Sequence, residues 1–179
     1  MERKEIWTIG HSTRTAGELT GLLQSFDIAV LADIRNFAGS RRYPHFNKEA
    51  LELSLPQHHI RYVHAKDLGG RRKPVPGSPN TAWKHAAFRG YADYMATPAY
   101  QQAAEQLEAI AALSRTAIMC SEAVWWSCHR ALVSDWLKAR GWDVMHIMSP
   151  GKATVHPYTP PARMVNGQLR YDVPDLFGT

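Results

Sequence analysis

The chain has 179 residues, of which 45% are hydrophobic, and its 21 Lys+Arg against 16 Asp+Glu give a net charge of +5 and a pI near 9.4. That length suits one domain over residues 1–179 with a core of its own, and the composition excludes disorder as the default state. Two cysteines exclude a disulfide framework, and no apolar run approaches the length of a bilayer crossing.

The start, "MERKEIWTIG", has neither an apolar h-region nor a small-residue cleavage site, so a cytoplasmic chain with reduced thiols and no membrane partner is expected. The excess of base favours an anionic partner, either a small molecule or a nucleic acid, and does not choose between them.

In chain order, "EIWTIGHS" reads as a strand that stops at Gly10, delivering His11 and Ser12 just past its end. "TAGELTGLLQSF" follows as a helix, with Leu19, Leu22, Leu23 and Phe26 at helical spacing and Thr15 and Glu18 forming a capping box. "IAVLADIRN" is apolar almost throughout, as in a strand buried on both faces, and ends in Asp33 and Arg35. "NKEALELSLPQH" reads as a short helix stopped near Pro56, and "IRYVHAKDLGG" as a weaker strand running into a Gly-Gly turn.

Residues 71–90 hold three prolines and two glycines and read as a long excursion of the kind that forms functional lids. "FRGYADYMATPAYQQAAEQLEAIAALSR" gives a helix, an interruption at Pro98 and a longer helix. "TAIMCSE" is a strand, "CHRALVSDWLKARG" a helix ended by Gly141, and "WDVMHIMSPG" the last strand. In the Pro-rich extension, residues 150–179, Asn166-Gly167 between two short runs signals a type I′ hairpin.

Alternating strands and helices predict a three-layer α/β domain with a mostly parallel sheet of about five strands. In such sheets ligands sit beyond the carboxyl ends of the strands. His11 and Ser12, Asp33 and Arg35, Lys66 and Asp67, Cys120 and Glu122, and His146 and Ser149 all follow predicted strand ends, so one rim would gather them.

"MCSEAVWWSCHR" holds both cysteines, eight positions apart, at a strand-to-helix junction. Near a helix start, unpaired N–H groups and the dipole lower a thiol's pKa, and His129 and Arg130 would add positive charge. Cys120 or Cys128 is therefore a candidate nucleophile, with Glu122 and His11 as candidate acid or base. Two thiols that simply pack in the core are the bland alternative, and a redox pair ranks below a single nucleophile because the spacing is not C-x-x-C.

Cys120, Cys128, His129 and His11 include metal-ligand types, yet C-x7-C-H lacks the spacing of structural zinc sites, and no metal or cofactor is expected. Position 126 is Trp and position 134 is Ser, so neither cysteine stands in a phosphatase loop, and no dinucleotide or Walker fingerprint occurs. Asp33 at the end of an apolar strand needs a partner, which Arg35 or Arg41 would supply as a structural ion pair at least as readily as in catalysis. Arg41 and Arg42, with Tyr43, His45 and Phe46 after them, suit an anionic group clamped against aromatic rings.

Taken together, "TIGHS", "DIR", "SRRYPHF", "LGG" and "CSE…CHR" resemble the DUF488 family of bacterial and archaeal proteins, over nearly the whole chain. The resemblance implies a compact α/β domain with a shared pocket, and names no reaction. It would place the family pattern on His11, Ser12, Asp33, Arg35, Ser40, Arg41, Gly69, Gly70, Cys120, Glu122, Cys128, His129 and Arg130. One departure is "AVWWS" between Glu122 and Cys128, where relatives often carry polar residues.

The expectation is thus a thiol-dependent transferase or hydrolase whose Cys120 or Cys128 acts with Glu122 and His11. Ser12, Asp33, Arg35, Arg41, His129 and Arg130 would bind an anionic substrate. The alternatives are a nucleic-acid or nucleotide binding module, or a Cys/His metal site.

Overall fold

The computed structural model describes residues 3–177. Its larger sheet has six strands, β1 (Glu5–Gly10), β2 (Val30–Asp33), β3 (Arg61–His64), β4 (Thr116–Cys120), β5 (Asp143–Ser149) and β6 (Lys152–Val155), in the order β3-β2-β4-β1-β5-β6. All neighbours pair in parallel except β5 and β6, which are antiparallel. The sixth strand lies in residues read from the sequence as the start of a Pro-rich extension. Gly151, at φ +69, turns the chain back so that β6 covers the edge of β5.

Five helices flank this sheet, α1 (Ala16–Gln24), α2 (Lys48–Ser54), α3 (Ala86–Met95), α4 (Pro98–Leu113) and α5 (Arg130–Ala139). The capping box on α1 forms as the sequence predicts: the Thr15 hydroxyl accepts from the Glu18 N–H and the Glu18 carboxylate accepts from the Thr15 N–H. The break expected at Pro98 separates α3 from α4, and Pro98 itself starts α4, since a first helical residue needs no N–H, with Thr97 capping that end. The Asn166-Gly167 turn, with φ of 51° and 75°, joins β7 (Arg163–Val165) to β8 (Gln168–Arg170) as the predicted hairpin.

Side chains along each strand alternate between two apolar layers. Trp7, Ile9, Leu31, Ala117 and Met119 pack with Leu19, Leu22 and Leu23 of α1 and Leu51 of α2. Ile6, Ala32, Ile118 and Val144 pack on the other face with Tyr91, Tyr100, Leu107, Leu132 and Leu137 from α3, α4 and α5. Cys120, two residues after Ile118, belongs to this second layer.

β1 is followed by a helix on the first face and its neighbour β4 by a helix on the second. The two connections therefore leave the sheet on opposite sides and open a crevice at the carboxyl ends of β1 and β4. The excursion expected as a lid is tied down. Asp93 on α3 accepts from the Val75 N–H, the Ser78 hydroxyl and the Asn80 side-chain amide, and the Ala82 N–H donates to the Tyr171 carbonyl. No helix among the described residues is long and apolar enough to cross a membrane.

Candidate thiol and arginine site

The crevice holds a cleft of about 720 Å³ lined by residues from five separate stretches of the chain. Two backbone bonds draw its first walls together: the His11 N–H donates to the Cys120 carbonyl at 2.9 Å and the Ser12 N–H to the Ser121 carbonyl at 3.0 Å. Ser12 takes a left-handed φ of 50° to make this turn. "LGG" forms another wall by close approach, since a Cβ on Gly69 would lie 2.7 Å from backbone atoms of Asn36 and one on Gly70 2.8 Å from His129 Nδ1.

Cys120 ends β4 with 2% of its surface exposed, whereas Cys128 is partly exposed in the cleft. Their sulfurs stand 2.8 Å apart. Burial, then the Cys128 contact, push the Cys120 thiol well above its usual range. The hydrogen bond from Cys120 acts in the opposite sense on Cys128; against the effect of burial, that bond, the Arg130 charge and the Arg130 N–H bring the Cys128 thiol below its ordinary value. The pair is thus asymmetric, a thiol donating to a neighbour that favours the thiolate.

Arg130 opens α5 and is 2% exposed. Its Nη2 donates to the Glu122 carbonyl at 3.0 Å and to the Ala123 carbonyl at 3.4 Å, its Nε has no partner among the described residues, and no described carboxylate pairs with it. A buried guanidinium without a carboxylate favours negative charge nearby, and the Cys128 thiol is a group whose pKa its charge lowers.

His129 differs from its sequence reading as a cation. Its Nε2 donates to the Ile34 carbonyl at 2.8 Å, and burial, opposed by that bond and helped by Arg130 and Arg72, lowers its pKa to about 4. It is neutral near pH 7, so of the His129-Arg130 pair only Arg130 brings positive charge to the Cys128 thiol, against the opposing charge of Glu122. Cys128 sits two residues before the helix, close to its first turn as expected, and its carbonyl accepts from the Ala131 N–H at 3.1 Å.

Asp33 and Arg35 form a buried, two-pronged ion pair, with Nε to Oδ1 at 2.8 Å and Nη2 to Oδ2 at 2.6 Å, and the Tyr62 hydroxyl donates to the same carboxylate. Arg35 also reaches the Phe46 carbonyl and His11. His11 Nδ1 lies 2.9 Å from the Ser12 carbonyl, which only accepts, so Nδ1 holds the proton and Nε2 accepts from Arg35 Nη1 at 3.3 Å. Burial lowers the His11 pKa, in keeping with a neutral ring. Four of the five guanidinium N–H groups of Arg35 are engaged, and the remaining one belongs to a residue that lines the cleft.

Glu122 is exposed on the cleft wall, as is Ser12 in part. Arg41 lies outside the cleft on the surface, because the "SRR" segment turns there and presents Ser40 and Tyr43 instead. Arg71, from the excursion, lines the cleft and lies 5.9 Å from the exposed ring of Phe37. Among the described residues no group of three or more His, Cys, Asp or Glu gathers to hold a metal ion, contrary to the metal alternative.

Sequence reasoning missed a buried polar chain behind the cysteine loop. Thr8 Oγ1 lies 2.6 Å from His146 Nδ1, His146 Nε2 lies 2.8 Å from His156 Nδ1, and His156 Nε2 donates to Asp135 at 2.8 Å. Asp135 also accepts from the Thr159 N–H and hydroxyl and from the Tyr171 hydroxyl. Trp125 of the cysteine loop stacks on His146 with centroids 4.7 Å apart. The available signal was Asp135 itself, which shares the apolar face of its helix with Ala131 and Leu132.

Fold and cleft together define a three-layer α/β protein with a dithiol and buried arginines at the carboxyl ends of its central strands. The chain belongs to the DUF488 family, described as a domain of unknown function, whose pattern it matches over residues 15–137. That stretch includes Asp33, Arg35 and both cysteines and leaves out His11, Ser12 and the C-terminal hairpin. Comparison with curated proteins and with solved structures gives no match.

Proposed function

We propose that this chain is a single-domain cytoplasmic enzyme, a thiol-dependent transferase or hydrolase acting on an anionic small molecule, with Cys128 as its nucleophile. The observation that carries the reading is the Cys128 sulfur, 2.8 Å from a buried thiol and beside the Arg130 guanidinium, which has no carboxylate partner among the described residues. Such an arrangement favours the thiolate, the form in which a cysteine acts as a nucleophile. Cys120 stabilises the thiolate, Glu122 is the acid or base on the accessible side, and Arg35 and Arg71 attract the anion. His11 acts through Arg35, which it holds, since its own lone pair is already engaged.

The test is the pH dependence of iodoacetamide labelling of the reduced native protein. Labelling confined to Cys128, with a midpoint below pH 9, is expected, and Cys128→Ser should abolish it. Both thiols inert up to pH 9 would remove the nucleophile.

A second reading, a nucleic-acid or nucleotide binding module, is favoured by the ring of Phe37, 67% exposed at the rim beside Arg71. It requires binding of labelled single strands that weakens steeply with salt. Fluorescence anisotropy showing no binding at low salt would dismiss it.

A further inference from the structure

The two sulfurs differ in access as well as in acidity. Both line the cleft, but Cys128 is partly exposed there, while Cys120 has 2% of its surface exposed and packs in the layer of Ile118, Leu132 and their neighbours. A disulfide has its sulfurs about 2.05 Å apart, so this pair is less than an ångström from bonding distance without any relocation of β4 or α5. An oxidant entering the cleft therefore meets the more exposed Cys128 first, and an oxidised product on it lies against the buried Cys120 sulfur.

We propose that Cys128 and Cys120 form a reversible, peroxide-driven disulfide, with Cys128 as the sulfur that is attacked and Cys120 as the one that resolves it. This rests on the reading of Cys128 as the accessible thiolate. The Cys128 thiolate attacks a hydroperoxide, the O–O bond breaks, a sulfenic acid forms and the alkoxide or hydroxide leaves to take a proton from water. The Cys120 sulfur then attacks the sulfenyl sulfur, the S–S bond forms, and the departing hydroxide leaves as water with the proton from Cys120. In sum, one dithiol and one hydroperoxide give one disulfide, one alcohol or water, and one further water. A dithiol reductant reverses the change by exchange.

The disulfide removes the thiolate and with it the nucleophile, so hydroperoxide would switch the site off. Because the ring it closes contains Trp125 and Trp126, the change should also be visible in tryptophan fluorescence.

The experiment treats reduced full-length protein with a small excess of hydrogen peroxide, blocks the remaining thiols with iodoacetamide after denaturation, and measures intact mass. Wild type should lose two hydrogens and both alkylation sites, and regain them with dithiothreitol. Cys120→Ser should accumulate a dimedone-reactive sulfenic acid at Cys128, and Cys128→Ser should give neither product while folded. Over-oxidation of Cys128 in wild type with Cys120 still free, or oxidation beginning at Cys120, would overturn the proposal. If Cys128 of the reduced protein alkylates near neutral pH but no disulfide forms, only this inference falls. If it does not alkylate at all, the thiolate reading falls with it.

Discussion

The carbonyl oxygen of Glu122 lies 1.6 Å from where a Cβ on Gly10 would stand. The end of β1 and the cysteine loop therefore touch backbone to backbone, which only glycine permits. Gly10→Ala should move the loop and cost at least about 1–3 kcal/mol, whereas Gly21→Ala, with open space on the exposed face of α1, should stabilise by about 0.5–1 kcal/mol. Urea unfolding of the two variants checks the opposite signs.

Cys120 is the largest influence holding the Cys128 thiol below its ordinary value. Cys120→Ala removes the donated hydrogen bond and should raise the midpoint of the pH–alkylation profile of Cys128, and Arg130→Gln should raise it as well. A profile unmoved by both would mean that neither neighbour stabilises the thiolate.

An anion bound near Arg35 and Arg71 would shield the sulfur. Inorganic phosphate or sulfate should slow alkylation of Cys128 at constant ionic strength, and Arg71→Ala should weaken that protection. Arg41→Ala, on the surface outside the cleft, should leave it within error of wild type.

His129 is held neutral, with its pKa lowered from 6.5 to about 4, and burial lowers that of His11 as well. Between these values the unfolded chain binds protons that the folded one does not, so stability is full above about pH 6.5 and falls as the pH drops toward 4. Each such histidine contributes a slope of up to about 1.4 kcal/mol per pH unit. His129→Gln, whose amide can still donate to the Ile34 carbonyl, should flatten the dependence by about one proton in urea titrations across that window.

Tyr171 ties the C-terminal hairpin to the core through Asp135. Tyr171→Phe should cost about 1.5–3 kcal/mol, the range for a hydrogen bond to a charged group. Limited proteolysis between residues 157 and 170 should accelerate in the variant.

Much of the architecture was legible because its signals are local. The Thr15–Glu18 capping box, the leucine spacing of α1, the unbroken apolar run of β2 and the Asn166-Gly167 turn each depend on residues within a few positions of one another, so the sequence by itself determined those elements and the parallel character of the sheet. The strand-end rule also pointed to the rim where His11, Arg35, Cys120 and Cys128 meet. Only the tertiary structure decided which residues complete that rim and in what state. The order β3-β2-β4-β1-β5-β6 sets β4 between β2 and β1, and that placement lets the Cys120 carbonyl receive the His11 N–H, buries His129 as a neutral ring that donates to the Ile34 carbonyl, and lets Arg71 enter where Arg41 was expected. Long-range pairing and burial fix these outcomes, and neither burial nor the partner of a charged side chain is written in the residues adjacent to it.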